Sequence, residues 1–150
     1  MNTIKIGMSN VTLLAPVAGK WFGETKTVLP ISHKDGVEQI TTWARDPDVG
    51  LFGLMDGDKC VGMLACHVHG YPATKVKVVS EYCWFVVPEY RGNGGLLLDA
   101  MEEWGKARGA QAVVANIMLS IGGDNGERAC GALKKLGFTE FERAFYRFVK

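Results

Sequence analysis

The stretch Glu81-Tyr-Cys-Trp-Phe-Val-Val-Pro-Glu-Tyr-Arg-Gly-Asn-Gly-Gly95, followed by Leu96-Leu97-Leu98-Asp99-Ala100-Met101-Glu102-Glu103-Trp104, decides the fold. A run of strand formers ends at Pro88, a basic and glycine-rich bend follows, and an amphipathic helix begins. Strand, glycine-rich turn and helix start together form a grip for a phosphate group. Amide groups in the first turn of a helix lack partners within it, and the helix dipole favours negative charge there. Arg91 adds a fixed positive charge with a fork of donors for phosphate oxygens. The segment points to a phosphate-bearing cofactor.

Working outward, Leu51–Met55 and Lys59–His69 are strand-like runs joined by Asp56-Gly57-Asp58, an Asp-Gly hairpin signal. Gly70-Tyr-Pro-Ala-Thr74 turns the chain into a third strand, Lys75 to Val87. Nearer the start, Thr3–Ile6 alternates as an opening strand, and Leu13, Leu14, Val17, Trp21 and Phe22 recur at helical spacing around Pro16 and Gly19. Asp35-Gly-Val-Glu38 is a capping-box pattern that predicts a helix from about Gly36 to Arg45, with Val37, Ile40 and Ala44 on one face.

Beyond the bend, Leu97, Leu98, Met101 and Trp104 track a helix ending at Gly109. Ala112–Met118 reads as a buried strand, apolar on both faces except at Asn116. Asp124 or Asn125 caps a helix carrying Ala129, Leu133 and Leu136 and closed by Gly137. Thr139–Phe141 and Ala144–Val149 read as a terminal pair of strands. The expected order, β-α-α-β-β-β-α-β-α-β-β, is an α+β fold with a mixed central sheet of about seven strands flanked by about four helices.

The 150 residues fit one compact domain, 1–150. A net charge of +1 without a basic stripe gives no support for a nucleic-acid or membrane surface. No apolar run approaches bilayer length, and Met1-Asn2-Thr3-Ile4-Lys5 lacks the apolar core of a signal peptide, so a cytoplasmic location is expected. Cys60, Cys66, Cys83 and Cys130 form no C-x-x-C pair, and Cys60 and Cys66 would lie about 20 Å apart along a strand. Reduced thiols and no metal site are the expectation.

The chain resembles the GCN5-related N-acetyltransferase (GNAT) superfamily. The resemblance is carried by Val86-Val87-Pro88-Glu89-Tyr90-Arg91-Gly92-Asn93-Gly94, the helix to Trp104, the exit Lys106-Ala-Arg-Gly-Ala110, and Lys134-Lys-Leu-Gly-Phe138. Element order agrees over nearly the whole chain. The resemblance implies acetyl-CoA as co-substrate, no metal, and an amine acceptor, small molecule or peptide, that attacks the thioester directly. It places the pantetheine arm along Phe85, Val86 and Val87, added like a strand to an edge. It places the pyrophosphate on Arg91, Gly92, Asn93, Gly94 and Gly95, with Asn125 as a further cofactor-binding residue. A main-chain N–H near Val86 would polarise the thioester carbonyl. In many relatives the C-terminal strands mediate a dimer, so a homodimer is an option here.

Glu81 is the candidate base, ten residues before Arg91, where one branch of the superfamily keeps a glutamate. It is the only acid within Val78–Val87, and partial burial would raise its pKa toward the working range. The alternative is a carboxylate that decorates an exposed strand face or pairs with a lysine. His67 and His69 alternate onto one strand face, as a substrate contact or relay or simply as edge histidines. Glu24 is a candidate contact for a cationic acceptor.

Two departures from the pattern stand out. Leu96 occupies a small-residue position, which favours a shorter loop with Gly95 as the close-approach glycine and Leu96-Leu97-Leu98 as a helical core face. Leu133 replaces the tyrosine that many members use to protonate the leaving thiolate, leaving Tyr146, Tyr82, Tyr90, Ser120 or water. The alternative function is therefore a non-catalytic GNAT-fold protein acting as an acetyl-CoA sensor or assembly component.

Overall fold

A computed structural model of the chain describes residues 1–24, 32–117, 125–142, 147 and 149. Five strands make one sheet: β1 (Asn2–Lys5), β2 (Val49–Asp56), β3 (Lys59–Gly70), β4 (Lys77–Val86) and β5 (Ala112–Val114), in that spatial order. Pairing is antiparallel through β4, and β5 runs parallel to β4. The helices are α1 (Ala15–Glu24), α2 (His33–Arg45), α3 (Gly95–Lys106) and α4 (Asn125–Lys135). The architecture is a mixed α+β one, with five strands among the described residues rather than seven.

The difference lies at the C-terminus. Thr139–Phe141 forms no strand, although its β-branched and aromatic residues suit one. Phe141 is 61% exposed and meets the Tyr71 ring at 6.0 Å instead of entering a ladder. The expected partner strand, Ala144–Val149, falls largely outside the described residues.

The hairpin between β2 and β3 turns at Gly57, whose φ of +58° is the left-handed conformation a tight turn requires. The second helix starts earlier than the capping pattern suggested. Ser32 is its N-cap, accepting from the Asp35 N–H at 3.1 Å, and α2 therefore begins at His33. Ile40 is buried, whereas Val37, expected on the same face, is exposed.

Directly paired residues share a sheet face, so Gly50, Cys66 and Glu81 project together and His67 and Ser80 project oppositely. Helix α3 covers the first face. A Cβ on Gly105 would stand 2.6 Å from Val79, and one on Gly50 would stand 2.9 Å from the Trp104 ring. Leu97, Leu98 and Met101 complete that layer of the core. On the other face Trp43 of α2 stacks on Tyr82 of β4. Gly105→Leu should therefore cost about 2 kcal/mol in a urea titration by forcing α3 off β4. A change within about 0.5 kcal/mol of zero would show that α3 does not depend on this close approach.

Candidate cofactor cleft and active site

After β4 the chain makes a 3-10 turn, Pro88–Tyr90, and then the glycine-rich bend into α3. The Arg91 N–H donates to Pro88 O and the Asn93 N–H to Tyr90 O, while Asn93 Nδ2 donates to Tyr90 O at 2.9 Å. These three donors close the turn. The N–H groups of Gly92, Gly94 and Gly95 find no acceptor among the described residues. Gly92 has a φ of +105°, which disfavours any side chain. Gly94 lies on the Trp84 indole, and a Cβ there would be 2.8 Å from Trp84 Cζ2. Gly95 is less confined, since its nearest neighbour would be Leu136 Cδ1 at 3.8 Å.

Leu96 is helical, as expected for the shorter loop, but 38% exposed, so the buried face of α3 begins at Leu97. Arg91 donates to Glu24 Oε2 at 2.6 Å, and one turn earlier in α1 Lys20 pairs with Glu89 at 3.3 Å. Glu24, a candidate for an acceptor contact, is thus tied to the bend. A guanidinium has five N–H donors, so Arg91 keeps others for an anion.

Strand β4 parts from β5 at the level of Glu81. Their ladder covers only Val78–Ser80 against Ala112–Val114, whereas β4 remains paired with β3 as far as Val86. A bulge lies at the parting: Cys66 pairs with Glu81 and Ala65 with Cys83, which leaves Tyr82 unpaired. Before the bulge, Gln111 N–H donates to Lys77 O on the β5 side, and after it Val87 N–H donates to Val61 O on the β3 side. Neighbouring residues direct their amides to opposite edges, so the Val86 N–H points to the edge of β4 that is unpaired among the described residues. That edge leads from Glu81 along Phe85, Val86 and Val87 to the glycine bend.

Glu81 is 9% exposed. Its Oε1 accepts the Asn116 N–H at 2.6 Å and Asn116 Nδ2 at 3.0 Å, while Oε2 is buried without a partner among the described residues. Burial pushes its carboxyl up to about 7, against the opposing pull of the Asn116 hydrogen bonds. The carboxylate is neither on an exposed face nor paired with a lysine among the described residues.

On the opposite face Trp43, Tyr82, His67 and His69 form a ladder of near-parallel rings, with centroids 5.4, 4.2 and 4.7 Å apart. His69 Nε2 lies 3.0 Å from Ser80 Oγ. Burial, then His69, holds the His67 pKa below its usual value. Among the tyrosines expected as proton donors, Tyr90 is engaged with Asp56 and with Lys59 over its ring, and Tyr82 is 49% exposed. Leu133 is buried in the core. Ser120 and Tyr146 lie outside the described residues, and Asn125 is the first residue of α4. Among the described residues no three His, Cys, Asp or Glu side chains form a metal-binding group, and no helix is long and apolar enough to cross a membrane. The four cysteines are free thiols.

Glu81, the β4 edge and the bend are contiguous in the sequence, whereas the packing of Trp84 beneath Gly94 and the bulge at Tyr82 leave no local signal in it. Asn116 carried a signal, the one polar residue in an apolar run.

The model of the acetyltransferase (GNAT) family matches residues 20–138. A comparison with curated protein sequences gives no match. Among solved structures, the ribosomal-protein-alanine N-acetyltransferase of Brucella melitensis biovar Abortus 2308 superposes with a TM-score of 0.72 at 14% identity, over 100% of both chains. The aminoglycoside 6'-N-acetyltransferase AAC(6')-IG of Acinetobacter haemolyticus gives 0.72 at 15% identity, over 100% of this chain and 99% of that one. AAC(6')-Iy, in complex with the bisubstrate analog CoA-S-monomethyl-acetylneamine, gives 0.72 at 18% identity, over 99% and 97%. At these identities the likeness is one of fold.

Proposed function

The chain belongs to the acetyltransferase (GNAT) family, and from that premise we propose that it moves an acetyl group from acetyl-CoA to a primary amine by direct attack. The observation that carries this reading is the continuous path from buried Glu81, along the unpaired edge of β4, to the free amides of Gly92, Gly94 and Gly95. Those amides, the start of α3 and Arg91 suit a pyrophosphate, and the edge from Phe85 to Val87 suits an extended amide-bearing arm. The cleft therefore fits the cofactor on both counts, and the proposed unit is one acyltransferase domain.

Acetyl-CoA, when bound, supplies the activated acetyl group. The Val86 N–H, directed at the open edge, is the donor for a developing oxyanion. Glu81 accepts the proton of the attacking ammonium, directly or through one bridging water, because a carboxyl near 7 is a competent base at neutral pH. Tyr82, with its ring held between Trp43 and His67, is the described tyrosine left to return a proton, and water serves otherwise. The acceptor is a small-molecule or peptide amine.

CoA and acetyl-CoA should each raise the melting temperature at saturation, and thiol release should accelerate with at least one member of a panel of amines, amino acids and peptides. Absence of any thermal shift would overturn the cofactor reading. A shift without turnover across the whole panel would favour the non-catalytic sensor.

A further inference from the structure

Asn116 has no place in the functional reading above, yet it is the one polar residue in the run after Ala112. Strand β5 ends at Val114, so the main-chain N–H of Asn116 is released from the ladder with β4. It reaches Glu81 Oε1 at 2.6 Å, and its Nδ2 reaches the same oxygen at 3.0 Å. Two donors converge on one carboxylate oxygen and the other, Oε2, is buried bare. A carboxylate oxygen carrying two hydrogen bonds is the poorer proton acceptor of the pair, because its lone pairs are already engaged.

The main-chain N–H of Glu81 itself also favours the charged carboxyl, and no other side chain shares the role of Asn116 among the described residues. Cys66 of β3 lies directly opposite and Cys83 lies beyond the bulge, and burial pushes both thiols up to about 12, so both stay neutral at physiological pH. Lys5 of β1 and Arg108 beyond α3 stand over the Trp104 ring. His67, together with His69, projects from the other face of β3 and stacks with Tyr82. Among the described residues no cation forms an ion pair with Glu81.

We infer that Asn116 is the positioning residue of Glu81: by placing its N–H and Nδ2 on Oε1 it locks the carboxyl in one orientation and favours its charged form. This rests on Glu81 being the base, and the two claims separate experimentally. The Glu81 carboxyl is titrated by carbon-13 NMR in glutamate-labelled protein, with Glu81→Gln to assign the resonance. Asn116→Ala, which keeps the main-chain donor and loses Nδ2, should raise the Glu81 midpoint by about one pH unit. Asn116→Leu, of similar size but lacking the amide donor and adding no charge, should raise it by a like amount and serves if the alanine variant folds poorly. The acid limb of kcat/KM should move with the midpoint, lowering activity about tenfold at pH 6 and less than about twofold at pH 9.

A purely structural Asn116 would reduce activity equally at both pH values. An unchanged Glu81 midpoint in both variants overturns the proposal. A midpoint that moves while the acid limb stays put upholds the hold of Asn116 on Glu81 and removes Glu81 as the base.

Discussion

Glu81→Gln should lower kcat about a hundredfold at pH 8 while leaving CoA affinity within about twofold, the signature of a lost proton acceptor beside an intact cofactor seat. The same substitution should stabilise the fold, and only at high pH. The folded carboxyl titrates near 7 against an ordinary value of 4.5, because burial disfavours its charge. Below about 4.5 the group is protonated in both the folded and unfolded chain, and ionisation costs the fold nothing. As pH rises toward 7 the unfolded chain ionises first and stability falls. Above about 7 the full difference, about 3 kcal/mol, is in force.

Glutamine keeps the oxygen that Asn116 holds and never ionises. Urea unfolding should therefore find Glu81→Gln more stable than wild type by about 2 kcal/mol at pH 9, and nearly equal at pH 4.5. Equal turnover in the two proteins would remove Glu81 from the chemistry. A stability difference independent of pH would mean that its charge is not the buried liability described.

Gly94→Val should weaken CoA binding at least tenfold. The loop rests on Trp84, and a Cβ at position 94 would lie 2.8 Å from Cζ2 and 3.1 Å from Nε1 of the indole. An aromatic ring packed against the core cannot yield cheaply, so the bend lifts and the amides of Gly94 and Gly95 lose their common direction; overpacking of this kind costs about 1–3 kcal/mol. The strain has a specific relief. Trp84→Ala combined with Gly94→Ala should bind CoA more tightly than Gly94→Ala alone, as isothermal calorimetry would show. If the second substitution brings no recovery, the indole is not what demands glycine. Gly95→Val is the milder change on this geometry, because a Cβ at position 95 meets only Leu136 at ordinary contact distance.

The legible parts of this protein were those written in local periodicity. Alternation around Asp56-Gly57 gave the central hairpin, and Leu97, Leu98 and Met101 gave the buried face of α3. The helix boundary is ambiguous in the sequence because Ser-x-x-Asp and Asp-x-x-Glu are both adequate caps, and the structure shows Ser32 as the one used. Thr139–Phe141 has the propensity of a strand and forms none, because propensity measures fitness for a sheet surface and cannot supply a partner.

By itself the sequence determined that a strand would end in a glycine-rich bend opening a helix, and that one carboxylate would lie ten residues before the bend's arginine. Those are matters of neighbouring residues, where φ preference, capping and period act directly. Only the tertiary structure decided that Glu81 would be buried, that Asn116, 35 positions away, would hold one of its oxygens, and that Gly94 would sit on Trp84. It also decided where β4 leaves β5, because the bulge at Tyr82 turns the Val86 amide toward the open edge. Proton affinity and edge direction depend on what packs and pairs across the sheet, and residues far apart in the chain supply both.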